Sequence, residues 1–229
     1  MGRRPTLPHT RACSTIGAER LNFRVRDAVG VRAVHEYDLI ADWYSSERID
    51  QIGIPETVML LSSIPPGSRI LDIGCGNGIP ITRALVRAGH TVIGLDSSSA
   101  MLERFRDNRP ETPIVRGVVQ ACPFANRIFD AAVAWGVMFH LSRENQIQAI
   151  ASVSRVLKMV APFLFTSGDA DDFEGKEGVM NGVTFRYFSF SIENYRRILG
   201  DQGFTLTDVH KDNGGNTYYV ATKTFEGYG

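Results

Sequence analysis

Two carboxylates and a run of glycines have the spacing of a ligand site in this chain. Asp72 stands two residues ahead of the first glycine of Gly74-Cys-Gly-Asn-Gly78, within the apolar run Ile70-Leu-Asp-Ile73. Glycines at 74, 76 and 78 carry no Cβ and take positive φ without steric cost, so a ligand can lie against the backbone where the run ends. An acid beside that bend opposes the charge of a pyrophosphate and suits a ligand bearing an ammonium or sulfonium. Twenty residues beyond Gly76, Leu95-Asp96 closes a second apolar run. That spacing lets an acid reach the ribose hydroxyls of a nucleoside seated over the first bend. Position 79 is isoleucine rather than the third glycine of the dinucleotide pattern, so a nicotinamide dinucleotide is the second choice of ligand.

Further along, Trp135-Gly136 closes another apolar run and Val137-Met-Phe-His140 follows it. With an ordinary pKa of about 6.5, His140 is the best-placed base near neutral pH, although a histidine here also suits a helix cap. His35 and His210 are weaker candidates. Tyr37, Trp43 and Tyr44 offer aromatic faces that stabilise a cation, or else pack into the core; Tyr44 is the preferred contact. Residues 167–191 read as a long loop holding Phe185, Arg186, Tyr187, Phe188 and Phe190, a wall for a ligand with an apolar or ring-bearing part. Asp169, Asp171 and Asp172 lie in the same segment, but no histidine or glycine-turn loop accompanies them, and no metal is assigned.

The elements that must position these groups follow from periodicity and breakers. Tyr37, Ile40, Ala41 and Tyr44 fall at helical spacing, and a second helix over 56–63 ends at Pro65-Pro66-Gly67. Strands are expected over 69–73 and 91–95, then 113–116, 129–135 and 162–166. Helices are expected over 80–88, 97–106, 142–157 and 191–201. Strands separated by helices imply a doubly wound, parallel α/β sheet. Two last strands, 204–210 and 218–222, face each other across 212–215 as a hairpin, which adds an antiparallel strand. Three regions result: a flexible basic tail over 1–34, N-terminal helices over 35–66 and a ligand-binding core over 67–229.

Bulk properties narrow the partners. The 229 residues are 43% hydrophobic and 22% charged, ordinary for one folded domain. Lysine plus arginine number 25 and aspartate plus glutamate 25, so no global field attracts nucleic acid or an anionic membrane, and a small-molecule partner fits better. Cys13, Cys75 and Cys122 form no CxxC pair, which speaks against a zinc site or disulfide framework. No apolar run reaches the length of a membrane span, and the first residues lack a secretory core. The arginine-rich start also matches a transit peptide, but a solvated tail and a cytoplasmic location are the simpler expectation.

Ile70 to Gly78, Val92-Ile-Gly-Leu-Asp96 and Phe129-Asp-Ala-Ala-Val-Ala-Trp135 resemble the ordered motifs of class I S-adenosylmethionine-dependent methyltransferases, over about 35–224. The resemblance implies a three-layer, seven-stranded sheet in the order 3-2-1-4-5-7-6 with strand seven antiparallel. It implies S-adenosylmethionine as cofactor, methyl transfer to a small molecule, and a lid formed by the N-terminal helices over 35–66. It places Asp72, Gly74, Cys75 and Gly76 under the methionine part of the cofactor, Asp96 on the ribose, Ser97 and Met101 beside the adenine, and Tyr44 and Trp135 around them. Similar chains often read Gly-Asp-Ala-x-x-Leu-Pro-Phe where this one reads Gly117-Val-Val-Gln-Ala-Cys-Pro-Phe124. Val118 therefore offers no side-chain acceptor to the adenine amino group, while the Val119 amide can still donate to a ring nitrogen. One lost bond of this kind costs on the order of 1 kcal/mol. A second departure, Lys158-Met-Val-Ala-Pro162 in place of Lys-Pro-Gly-Gly, falls at the opposite end of the sheet. A cofactor-binding module without transfer activity and an NAD-linked oxidoreductase are the alternatives.

Overall fold

The computed structural model describes residues 36–47, 51–170, 173–212 and 215–225. The tail expected over 1–34, His35, Asp171 and Asp172 lie outside them.

Seven strands form one sheet: β1 (Arg69–Ile73), β2 (Thr91–Asp96), β3 (Ile114–Arg116), β4 (Ala131–Ala134), β5 (Pro162–Ser167), β8 (Phe204–Lys211) and β9 (Thr217–Lys223). Their order is β3-β2-β1-β4-β5-β9-β8, with β9 antiparallel to both neighbours. This is the expected order, because β8 and β9 are the sixth and seventh strands of the sheet. Two further strands, β6 (Phe173–Met180) and β7 (Val183–Ser189), pair separately as an antiparallel hairpin. They occupy the segment expected to be a long loop. Its turn is Asn181-Gly182, with φ of 45° and 77°, the left-handed pair that a two-residue hairpin turn requires.

Among the described residues six α-helices flank the sheet: α1 (Glu36–Glu47), α2 (Ile54–Leu61), α3 (Ile81–Arg87), α4 (Ser99–Asn108), α5 (Arg143–Val156) and α6 (Ile192–Asp201). β4 and β5 are buried at every residue, as expected for strands covered on both faces. Side chains alternate between two cores. Leu71, Ala132, Phe163, Phe165 and Tyr219 pack with α5 and α6, while Ile70, Val133, Leu164 and Tyr218 pack with α2 and α3. Lys223, only 1% exposed, ends β9 inside the first core, where its Nζ donates to the carbonyls of Ser154 and Leu157 at 2.7 and 3.2 Å. A buried cation is thus matched to the unsatisfied carbonyl end of α5. At the start of β5, Val160 holds φ 57° and is exposed. It occupies the bend where similar chains carry glycine.

Candidate functional site

The ends of β1 and β2 meet in a network that spends the bend's own amides. The amides of Gly74 and Cys75 donate to the Leu95 carbonyl at 2.7 and 3.2 Å, and that of Gly78 to the Cys75 carbonyl. The Gly76 amide donates to Asp96 Oδ2 at 2.8 Å, and the Ser98 amide to Asp96 Oδ1 at 2.8 Å. Gly74 and Gly76 hold φ of 66° and 54°, which explains glycine at both positions. A pyrophosphate cradle needs free amides aimed outward, and these four are committed inward. The surroundings suit a neutral or cationic ligand for this reason as well as for the two acids.

Above the bend lies a cavity of about 320 Å³, within the range of small-ligand sites. Of the residues singled out from the sequence, Tyr44, Gly74, Gly76, Asp96, Ser97, Met101, Trp135 and His140 line it. Asp96 brings a carboxylate to the cavity lining, and a carboxylate is the acceptor that a vicinal diol calls for. Gly136, at φ 76°, is held by a bond from its amide to Thr166 Oγ1 at 2.8 Å, and a Cβ there would meet no protein atom within 4 Å. Trp135 packs on Gly53, where a Cβ would come within 2.5 Å of the indole, so α2 starts directly over this ring.

The other four residues take different places. Asp72, 2% exposed, accepts a short hydrogen bond from Thr82 Oγ1 beneath the bend. Cys75 is buried against Gly94, and burial, followed by the charges of Asp96 and Asp72, raises its thiol pKa well above the ordinary value. Val119 is buried in the core, and Val118 caps the short 3₁₀ turn Val119–Ala121. None of the four lines the cavity.

The opposite wall is aromatic. Tyr37 of α1 contacts Tyr44, His140 and Phe185 edge-on, with centroids 5.2, 5.5 and 5.1 Å apart. Its hydroxyl lies 3.0 Å from His140 Nε2. His140 closes the short 3₁₀ turn Met138–His140 after β4, and its ring also meets Phe139 and Tyr187. Phe185, Arg186 and Phe188 of β7 complete the wall. Burial of the Tyr187 hydroxyl, then the neighbouring Tyr44, raises its pKa.

One buried amide joins these parts. Gln146 of α5 donates from Nε2 to the carbonyls of Leu141 and Phe188, at 2.9 and 3.2 Å, and accepts from Tyr195 Oη. Tyr195 in turn bonds Ser167 at the end of β5. The His140 turn and the hairpin are therefore held in one register. Gln146 went unnoticed in the sequence, where its only signal is an amide at a core position of an amphipathic helix. The hairpin's signal, Asn181-Gly182 between alternating residues, was present and missed.

Outside the cavity, His210 pairs with Asp208 at 2.7 Å, and Asp169 with Lys211 at 3.0 Å. That Lys211 hydrogen bond holds the Asp169 carboxyl below its ordinary pKa. Among the described residues no group of three or more His, Cys, Asp or Glu could hold a metal, and no helix is long and apolar enough to cross a membrane.

Residues 70–159 match the model of a family described as methyltransferase domain. An uncharacterized methyltransferase of Synechocystis is 40% identical over 97 residues, covering 42% of this chain and 45% of the relative. A tRNA (carboxymethyluridine(34)-5-O)-methyltransferase of Arabidopsis thaliana is 35% identical over 123 residues, covering 53% of this chain and 29% of the relative. The chain thus spans less than half the length of these two curated relatives. Among solved structures, the 1,6-didemethyltoxoflavin-N1-methyltransferase of Burkholderia thailandensis, with 1,6-didemethyltoxoflavin and S-adenosylhomocysteine bound, superposes with a TM-score of 0.61 at 21% identity. The superposition covers 86% of this chain and 93% of that one, and shows a shared fold.

Proposed function

We propose that this chain, built on the class I S-adenosylmethionine-dependent methyltransferase fold, transfers a methyl group from S-adenosylmethionine to a small molecule with an apolar or ring-bearing part. The observation that carries the reading is the cavity itself: a carboxylate at the end of β2, a bend with inward amides and an aromatic wall converge on one space.

S-adenosylmethionine supplies an electrophilic methyl group on a sulfonium. The residues here have the remaining work of orientation, water exclusion and proton acceptance. Asp96 holds the ribose hydroxyls, Ser97 and Met101 bound the adenine side, and Gly76 and Gly136 leave room for the chain that bears the sulfur. Tyr44 and Tyr37 close the site from α1, their ring faces suited to a cation. His140 takes the proton of an acceptor that must lose one, and Tyr37 fixes the orientation of its ring. Phe185 and Phe188 give the acceptor an apolar surface.

Curated relatives named for tRNA make RNA the acceptor to test against. The balanced charge of this chain favours a small molecule. Methyl-tritiated S-adenosylmethionine is incubated with the protein and, in separate arms, bulk tRNA and a panel of phenols, heteroaromatic amines and aromatic acids. Label in the small-molecule fraction and not in tRNA is expected. Label confined to tRNA would overturn the acceptor class, and binding of donor with no label in any arm would favour a module without transfer activity.

A further inference from the structure

α1 lies across the donor cavity, contributing Glu36, Tyr37 and Tyr44 to its lining. It is fastened to the N-terminus of α4, the helix whose first turn forms the adenine side. Asp38 Oδ1 accepts from Ser98 Oγ at 2.6 Å and from the Ala100 amide at 3.0 Å. Ser98 is itself the cap of α4, accepting from the Met101 amide at 3.1 Å, while its own amide is bound by Asp96. The first turn of α4 is thus satisfied by two carboxylates, one from the core strand and one from α1. A helix N-terminus favours negative charge, which adds to both bonds.

The arrangement repeats one turn along. Asp42, four residues after Asp38, pairs with Arg104, four residues after Ala100. The two points differ in kind, because Asp42 is almost fully exposed while Asp38 is half-buried. An exposed ion pair is screened and holds little. Asp38 therefore carries the polar attachment of α1 to α4, with Ile40 and Ala41 buried beside it.

We infer that Asp38 is a positioning residue for the donor site: its bonds to Ser98 and Ala100 hold α1 closed over the nucleoside and set how long donor or spent donor stays bound. The inference rests on the donor reading above. Leaving the cavity requires α1 to move, and α1 cannot swing away while Asp38 caps α4. Loss of the latch accelerates dissociation more than it alters the bound contacts, since Asp38 itself does not line the cavity.

Stopped-flow displacement of S-adenosylhomocysteine, using the whole chain, tests this. Asp38→Ala is expected to raise the dissociation rate about tenfold or more, as loss of two charge-assisted bonds implies. Asp38→Asn keeps an acceptor oxygen and is expected to stay within about threefold of wild type. Asp42→Ala serves as control, within about twofold. A purely structural part for Asp38 would lower the thermal midpoint without this rate pattern or the rescue by asparagine. An unchanged rate in Asp38→Ala, or an asparagine variant as fast as the alanine one, would overturn the inference while leaving the donor reading intact. Failure of the wild-type protein to bind S-adenosylhomocysteine would overturn both.

Discussion

His140 and Asp72 show how a single side chain's meaning depends on its partners. From sequence, His140 was a base or a helix cap; in the structure it lines the cavity and meets the Tyr37 hydroxyl, while Ser142 caps α5 through a bond from the Asn145 amide. The cap of α5 thus belongs to another residue. With an acceptor that loses a proton, His140→Ala should lower kcat about a hundredfold, the usual contribution of a positioned base. An unchanged kcat would remove His140 from the mechanism. Asp72 runs the other way. Its distance from the first glycine was legible, but its burial against Thr82 was not, because that contact depends on where α3 packs. The inward use of the bend's amides, equally invisible in sequence, discriminates against a pyrophosphate more directly than the acid does.

Among elements, the strands and helices of the core were readable because each matches a clean period, and residues between them are strong breakers. The insert was misread for a physical reason. Gly175 and Gly178 interrupt the alternation of β6, and a register shift falls between Glu174 and Lys176. That irregularity obscured a strand whose turn, Asn181-Gly182, was plain. The bend before β5 offers a test of local conformation. Val160 is β-branched, at φ 57°, and exposed, a conformation that costs a non-glycine residue about 1 to 2 kcal/mol. Part of this is offset by the greater freedom of an unfolded glycine. Val160→Gly should therefore raise stability by roughly 1 kcal/mol, or about 2 to 4 °C in thermal midpoint for a chain of this size. A lower midpoint would show that the valine side chain makes a compensating contact.

At the scale of the whole molecule, the fold, the residues of the bend and the aromatic residues of the opposite wall were largely legible, and the hairpin and the buried amide that hold that wall together were not. The donor motifs lie on consecutive strand ends, where sequence order fixes spatial order. The aromatic wall draws Tyr37, His140 and Phe185 from three separate elements, with Gln146 of α5 buried behind it, and only packing brings them together. The same packing ties stability to alkaline pH. Burial first of all pushes the Tyr195 hydroxyl up to about 12, and Tyr219 shifts in the same direction. For an acid whose pKa is raised by folding, stability is present below the unfolded value, about 10, and is lost as pH rises toward the folded value. The thermal midpoint should hold steady between about pH 7 and 9 and fall above about pH 10. Tyr195→Phe should flatten that fall while lowering the midpoint at neutral pH, because Gln146 loses its donor. A wild-type midpoint unchanged to about pH 11.5 would contradict this assignment.

The central claim, that the β1 and β2 ends bind S-adenosylmethionine through Asp96, is tested most directly by calorimetric titration of the wild-type chain and Asp96→Ala. S-adenosylhomocysteine is titrated into both, and NAD into the wild type. We expect saturable heat with S-adenosylhomocysteine, binding weakened about tenfold or more in the variant, and no saturable heat with NAD. No heat with S-adenosylhomocysteine at millimolar ligand, or saturable binding of NAD in its place, would contradict it.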